Sequence, residues 1–137
     1  MNAKKTILID KMPGLYAVAT VTAGGEAYYA AASEAEQGPV ALVHCDTNEV
    51  HYIHGGQGGV MGIMNSCKED TLISIEEFYL GFNAPHSRIV EIGLEKKDGK
   101  WDAAYRKELA EVPYLHRLAV LNEPDGCFLA AGKLTTG

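Results

Sequence analysis

Basic residues are scarce in this chain of 137 residues: 12 Lys and Arg stand against 18 Asp and Glu, for a net charge of -6. Lys4-Lys5 and Lys96-Lys97 are isolated pairs. Nucleic-acid backbones are held by clustered cations, so the composition excludes a general phosphate-backbone binder. Long apolar runs are also lacking. The N-terminal stretch MNAKKTILIDKMPG has a four-residue apolar run broken by Asp10, too short for a signal-peptide core, and no segment approaches a membrane span. Cysteine is limited to Cys45, Cys67 and Cys127, widely spaced and without a CxxC pair. That pattern predicts neither a disulfide framework nor a cysteine zinc site, but three reduced thiols, some packed in strands as small hydrophobes. No GxSxG elbow or local Ser-His-Asp signature is present. These absences predict a soluble, acidic, cytoplasmic protein that binds neither nucleic acid nor membrane.

What the chain does contain is a recurring hairpin. His116 to Leu134 (HRLAVLNEPDGCFLAAGKL) reads as an apolar strand, a tight polar turn and a second apolar strand. Leu15 to Ser33 and Val60 to Tyr79 have the same shape, with starts separated by roughly 45 and 55 residues, a period typical of repeat architectures. Between them, turn signals at Glu34 to Pro39, Asp46 to Glu49, Leu80 to His86 and Lys96 to Gly99 separate short strands. The strands run over Val40–Cys45, Val50–His54, Ser87–Glu95 and Lys100–Leu109. Lys100–Leu109 is polar, as an outer strand should be; its composition also tolerates a helix, but the Asp98-Gly99 turn before it favours a strand. Residues 5–10 (KTILID) could form a further strand belonging to a neighbouring sheet.

The expectation is one all-β domain over 1–137, with units of approximately 14–57, 58–111 and 112–137. Antiparallel four-stranded sheets at this period are the arithmetic of β-propeller blades, about two and a half of them here. A β-sandwich is the alternative. An incomplete propeller would expose strand edges and an apolar face. The expectation is therefore a homo-oligomer, a complementary chain that supplies blades, or a longer product of which this chain is a piece, the last favoured by the missing outer strands of the third unit.

GLYAV at 14–18, IEEFYLGFNAPHSRIVEI at 75–92 and VPYLHRLAVL at 112–121 resemble the N-terminal part of an uncharacterised bacterial β-propeller family. That family is similar to FG-GAP/VCBS-type repeat proteins and, loosely, to the propeller of aldos-2-ulose dehydratase. The resemblance implies the propeller fold and little about function. The acidic DxDGDG calcium loops of FG-GAP repeats are absent; Asn122 to Gly126 (NEPDG) is the nearest approach.

In a blade arrangement, the connectors between units and the second-to-third strand loops share one end of the sheets, where rigid scaffolds carry their sites. This brings His54, Gln57, Asn83, His86, Tyr114, His116 and Arg117 to one mouth as the candidate ligand-binding set. His54 and His116 fall near equivalent places in successive units. With a carboxylate from Glu76 or Glu77, above all Glu77, they could hold a divalent metal, the one cofactor the residues suggest. Arg117 would then grip a carboxylate. The plainer alternative is that His116 and Arg117 satisfy loop carbonyls and strand ends, that His44 and His51 are solvent-facing strand histidines, and that Phe78, Tyr79 and Phe82 pack in the core. The glycine-rich His54 to Gly59 lacks the lysine and helix of a phosphate loop and reads as a connector.

Two readings follow. One is a binding and assembly module with a loop-lined face for a small, possibly carbohydrate, ligand or a partner. The other is a metal-assisted carbohydrate lyase or isomerase resembling aldos-2-ulose dehydratase.

Overall fold

A computed structural model describes residues 2–79 and 84–134, and among these there is no helix. Ten strands follow in order: β1 (Leu15–Ala23), β2 (Glu26–Ser33), β3 (Val40–His44), β4 (Val50–Ile53), β5 (Gly62–Asn65), β6 (Thr71–Glu76), β7 (Arg88–Lys97), β8 (Lys100–Glu111), β9 (Leu115–Glu123) and β10 (Gly126–Lys133). They form two four-stranded antiparallel sheets, β1-β2-β3-β4 and β5-β6-β7-β8, and a two-stranded sheet of β9 and β10. We call these the first, second and third sheets. Each strand pairs with its sequence neighbour, so every sheet is a meander. Residues 100–111 are strand throughout. At the β7–β8 turn, Asp98 and Gly99 both have positive φ (50° and 78°), the conformation that a two-residue hairpin with right-handed strand twist requires.

The sheets stack in the order first, second, third, with like strands next to like: β1 lies against β5, β5 against β9, and β4 against β8. The layers are thus three, where a sandwich has two, and they do not close on themselves. The middle layer is covered on both sides, which is why β6 is buried at all six positions. Such a strand reads as an unbroken apolar run rather than an alternation. β1 has one packed face and one open face, and its burial alternates along most of its length. Between the first and second sheets lie Ala17, Val21, Tyr28, Ala30, Leu42, Ile63, Leu72, Val90, Ile92 and Trp101. Between the second sheet and the third lie Met61, Ile73, Ile75, Phe78 and Leu115, with Leu118 and Val120 packed against them.

Three expectations need correction. Residues 5–10 form no strand: no other strand lies beside them among the described residues, and a lone extended segment has nothing to bond its backbone groups. Cys67 and Cys127 are joined by a disulfide, and only Cys45 is free. Sixty residues separate the two half-cystines in sequence; the stacking of the β5–β6 turn on the start of β10 brings them together, which spacing alone does not show. His51, expected to face solvent, is buried, because β4 packs against β8 and the Trp101 amide donates to the His51 ring. No helix of the described residues is long and apolar enough to cross a membrane.

Candidate functional site: the connector end of the sheets

Because every sheet is a meander that starts in the same direction, all tight hairpin turns lie at one end and all longer connectors at the other. The connector end is sewn together by backbone hydrogen bonds that pass from sheet to sheet. Gly59 N–H donates to Ala35 O (3.0 Å), Val60 N–H to Ser33 O (2.9 Å), and Phe78 N–H to Gly59 O (2.9 Å). On the far side, Tyr114 N–H donates to Ala84 O (2.8 Å) and Leu134 N–H to Tyr114 O (2.9 Å). Gly14 repeats the last pattern, accepting from Glu34 N–H at 2.8 Å. Gly14 and Tyr114, each immediately before the first strand of its unit, and Gly59, three residues before β5, all adopt left-handed φ (57°, 56° and 60°). The glycine-rich connector is explained by close approach: a Cβ on Gly58 would sit 2.2 Å from Ala35 O and 2.5 Å from Gly38 N. It is a structural seam rather than a ligand cradle.

The residues singled out from sequence take separate places on this end. His54, at the end of β4, is locked to β8. Its ring Nδ1 lies 2.8 Å from Asp102 Oδ2, and its backbone N–H donates to Asp102 Oδ1 at 2.8 Å. Burial works to raise the Asp102 pKa, but the hydrogen bonds from His54 and the Ala103 amide outweigh it, and the net displacement is downward. His86 pairs with Glu111 (Nδ1 to Oε1, 2.9 Å), which draws the Glu111 carboxyl below its usual range. Glu77 is held by Arg88, which also reaches Glu108 at 2.5 Å. The His116 ring lies against the Phe78 ring, with centroids 5.9 Å apart and planes tilted by 60°. Gln57 contributes its backbone carbonyl to Gln37 N–H (2.7 Å). Tyr114 serves the seam described above, and Asn83 lies outside the described residues.

The proposed metal set of His54, His116 and Glu77 therefore takes three different partners. The described residues contain no group of three His, Cys, Asp or Glu arranged to hold a metal ion. Glu76, the other carboxylate considered, is buried and bonded by Ser74 Oγ (3.0 Å) and Arg106 Nη1 (2.7 Å). Arg117 and His116 line a groove of about 230 Å³ with Tyr16, Met61, Met64 and Leu118, where β1, β5 and β9 converge.

A larger cleft of about 440 Å³ went unread in the sequence. It runs along the β4–β8 seam and is lined by His51, Tyr52, His54, Lys97, Trp101 and Asp102, among others. Its wall is rigid: Trp101 N–H donates to His51 Nδ1 at 3.0 Å, and Trp101 Nε1–H to Tyr28 Oη at 2.9 Å. Desolvation lowers the pKa of the buried His51. The sequence signal was the single Trp beside an Asp just after a hairpin turn, but the partner strand lies about fifty residues away.

No family model, no curated protein and no solved structure matches the chain.

Proposed function

We propose that this chain is a binding and assembly module: a section of a blade-like, propeller-type stack of sheets whose exposed faces take further sheets of the same kind. The observation that carries it is the order of packing. First strands stand beside first strands and fourth beside fourth, an order that supports a blade-like relation between successive sheets. A stack of this sort leaves its two outermost faces bare. Val18 is 62% exposed on the first sheet, and Phe128 is 51% exposed on the third. Exposed apolar faces and unpaired strand edges are surfaces that folded proteins cover. The groove between β1, β5 and β9, with its His116 and Arg117, is the place where such an assembly would present a small ligand.

Light scattering on the purified chain tests this. The expected result is a defined species heavier than one chain of 14.8 kDa. A monomer with an intact β-type circular dichroism spectrum overturns the assembly reading.

A further inference from the structure

The two bare faces are the two ends of one packing direction, and the register of the strands shows it. In the first sheet Val21 pairs with Tyr28, Ala19 with Ala30 and Ala17 with Ala32. In the third, Leu121 pairs with Phe128, Ala119 with Ala130 and Arg117 with Gly132. Each residue of the second set is one hundred positions after its counterpart, and the backbone bonds Glu34 N–H to Gly14 O and Leu134 N–H to Tyr114 O obey the same offset. The Val21–Tyr28 face is buried against the second sheet. Its counterpart, the Leu121–Phe128 face, is open, with those two side chains 43% and 51% exposed. The third sheet thus carries, uncovered, the kind of face that the first sheet buries on a neighbour.

The offset also runs backwards. Met12-Pro13-Gly14 stands one hundred positions before Val112-Pro113-Tyr114, so residues 5–11 correspond to the last part of β8. β8 is the outer strand of the sheet that stands behind β9. Residues 5–11, which form no strand within one copy, hold the chain position that an outer strand of a sheet behind β1 would have. No such sheet exists among the described residues, and Ile7 is 65% exposed. The opposite face of the first sheet carries Val18, Tyr29 and Tyr52, which are 62%, 40% and 44% exposed, around Ala31, Ala41 and Val43, which are buried.

We propose, resting on the assembly reading above, that the partner is a second copy of this chain, joined head to tail. The Leu121–Phe128 face of one copy packs on the Val18–Tyr29 face of the next. Such a contact is heterologous, so it must close into a ring or grow into a filament. Two copies bring four four-stranded and two two-stranded sheets into one such assembly. Arg117 at one rim and Glu123 at the other frame an apolar centre, the anatomy of a protein interface.

The test uses two variants of the full chain, Val18→Asp and Phe128→Asp, each at an exposed position and each checked for native circular dichroism. Each alone is expected to lose the ring, and an equimolar mixture to regain a species of two chains, because one intact face of each kind remains. If either variant assembles as the wild type does, or if the mixture stays monomeric, the head-to-tail contact is overturned while the assembly reading stands. A monomeric wild type overturns the assembly reading itself. Should either aspartate variant misfold, Leu121→Lys replaces Phe128→Asp and Tyr29→Lys replaces Val18→Asp, with the same outcomes read.

Discussion

At the scale of single residues, the most consequential side chain is His51. It is buried, accepts a hydrogen bond from the Trp101 amide, and has its pKa lowered chiefly by desolvation. A histidine with a depressed folded pKa binds fewer protons folded than unfolded. Its contribution to stability is therefore complete above the unfolded value of about 6.5 and is lost as pH falls from there toward the folded value. We predict that thermal stability declines on acidification below about pH 6.5. His51→Asn, whose Oδ1 can take the place of Nδ1, should reduce that decline. A melting temperature with the same pH slope in both proteins would refute the assignment. Gly93 offers a steric test. A Cβ there would lie 2.0 Å from Cε1 of Tyr105, whose hydroxyl donates to Glu91 Oε1 at 2.7 Å. Gly93→Ala must displace the ring, and denaturant unfolding should show a loss of about 1–3 kcal/mol. The Tyr105→Ala background, with the ring gone, should tolerate the same methyl at smaller cost.

At the scale of elements, the third sheet is the least supported. It has two strands, one face open, and β10 is largely exposed. The Cys67–Cys127 disulfide ties it to the β5–β6 turn. Closing a loop of that length removes unfolded-state entropy worth about 4 kcal/mol in the chain-entropy model. Reduction, or Cys127→Ser, should therefore raise amide exchange in β9 and β10 first and leave β1–β4 protected. Uniform loss of protection in all three sheets would show that the disulfide acts on the whole fold instead. The connector seam is the other elemental device. Gly58→Ala would place a methyl against backbone atoms that cannot turn aside, at a left-handed φ of 75°. A cost of about 2 kcal/mol or more is expected, read as a lower melting temperature. An unchanged melting temperature would mean that the connector can move away.

At the scale of the whole molecule, the stack has a direction, and its ends differ. One end shows the Leu121–Phe128 face, the counterpart of the face that the first sheet buries, and the other shows the opposite face of the first sheet. An association that needed only apolar area would tolerate any pairing of faces. The repeat register demands a particular one. The mixed-variant experiment measures that demand, because restoration of mass by two singly defective chains requires unlike faces to meet.

The strands and hairpins were legible in the sequence because their determinants are local. Alternation and apolar runs identified β1 to β4, and Asp98-Gly99 identified the β7–β8 turn, without reference to anything distant. The expectation of antiparallel four-stranded sheets followed from compact turns joining each strand to the next. The Cys67–Cys127 bond, the His54–Asp102 pair and the Trp101–His51 contact were decided only in the folded molecule. Each joins residues on different sheets, and their meeting depends on how the sheets stack. The same physics separates His54 from His116: their equivalent positions along the chain became an outer strand and an inner strand, with different neighbours. Short-range pattern determines which residues become strands and where they turn. Burial of one sheet's face on another determines which side chains meet, because that surface exists only after the strands have paired.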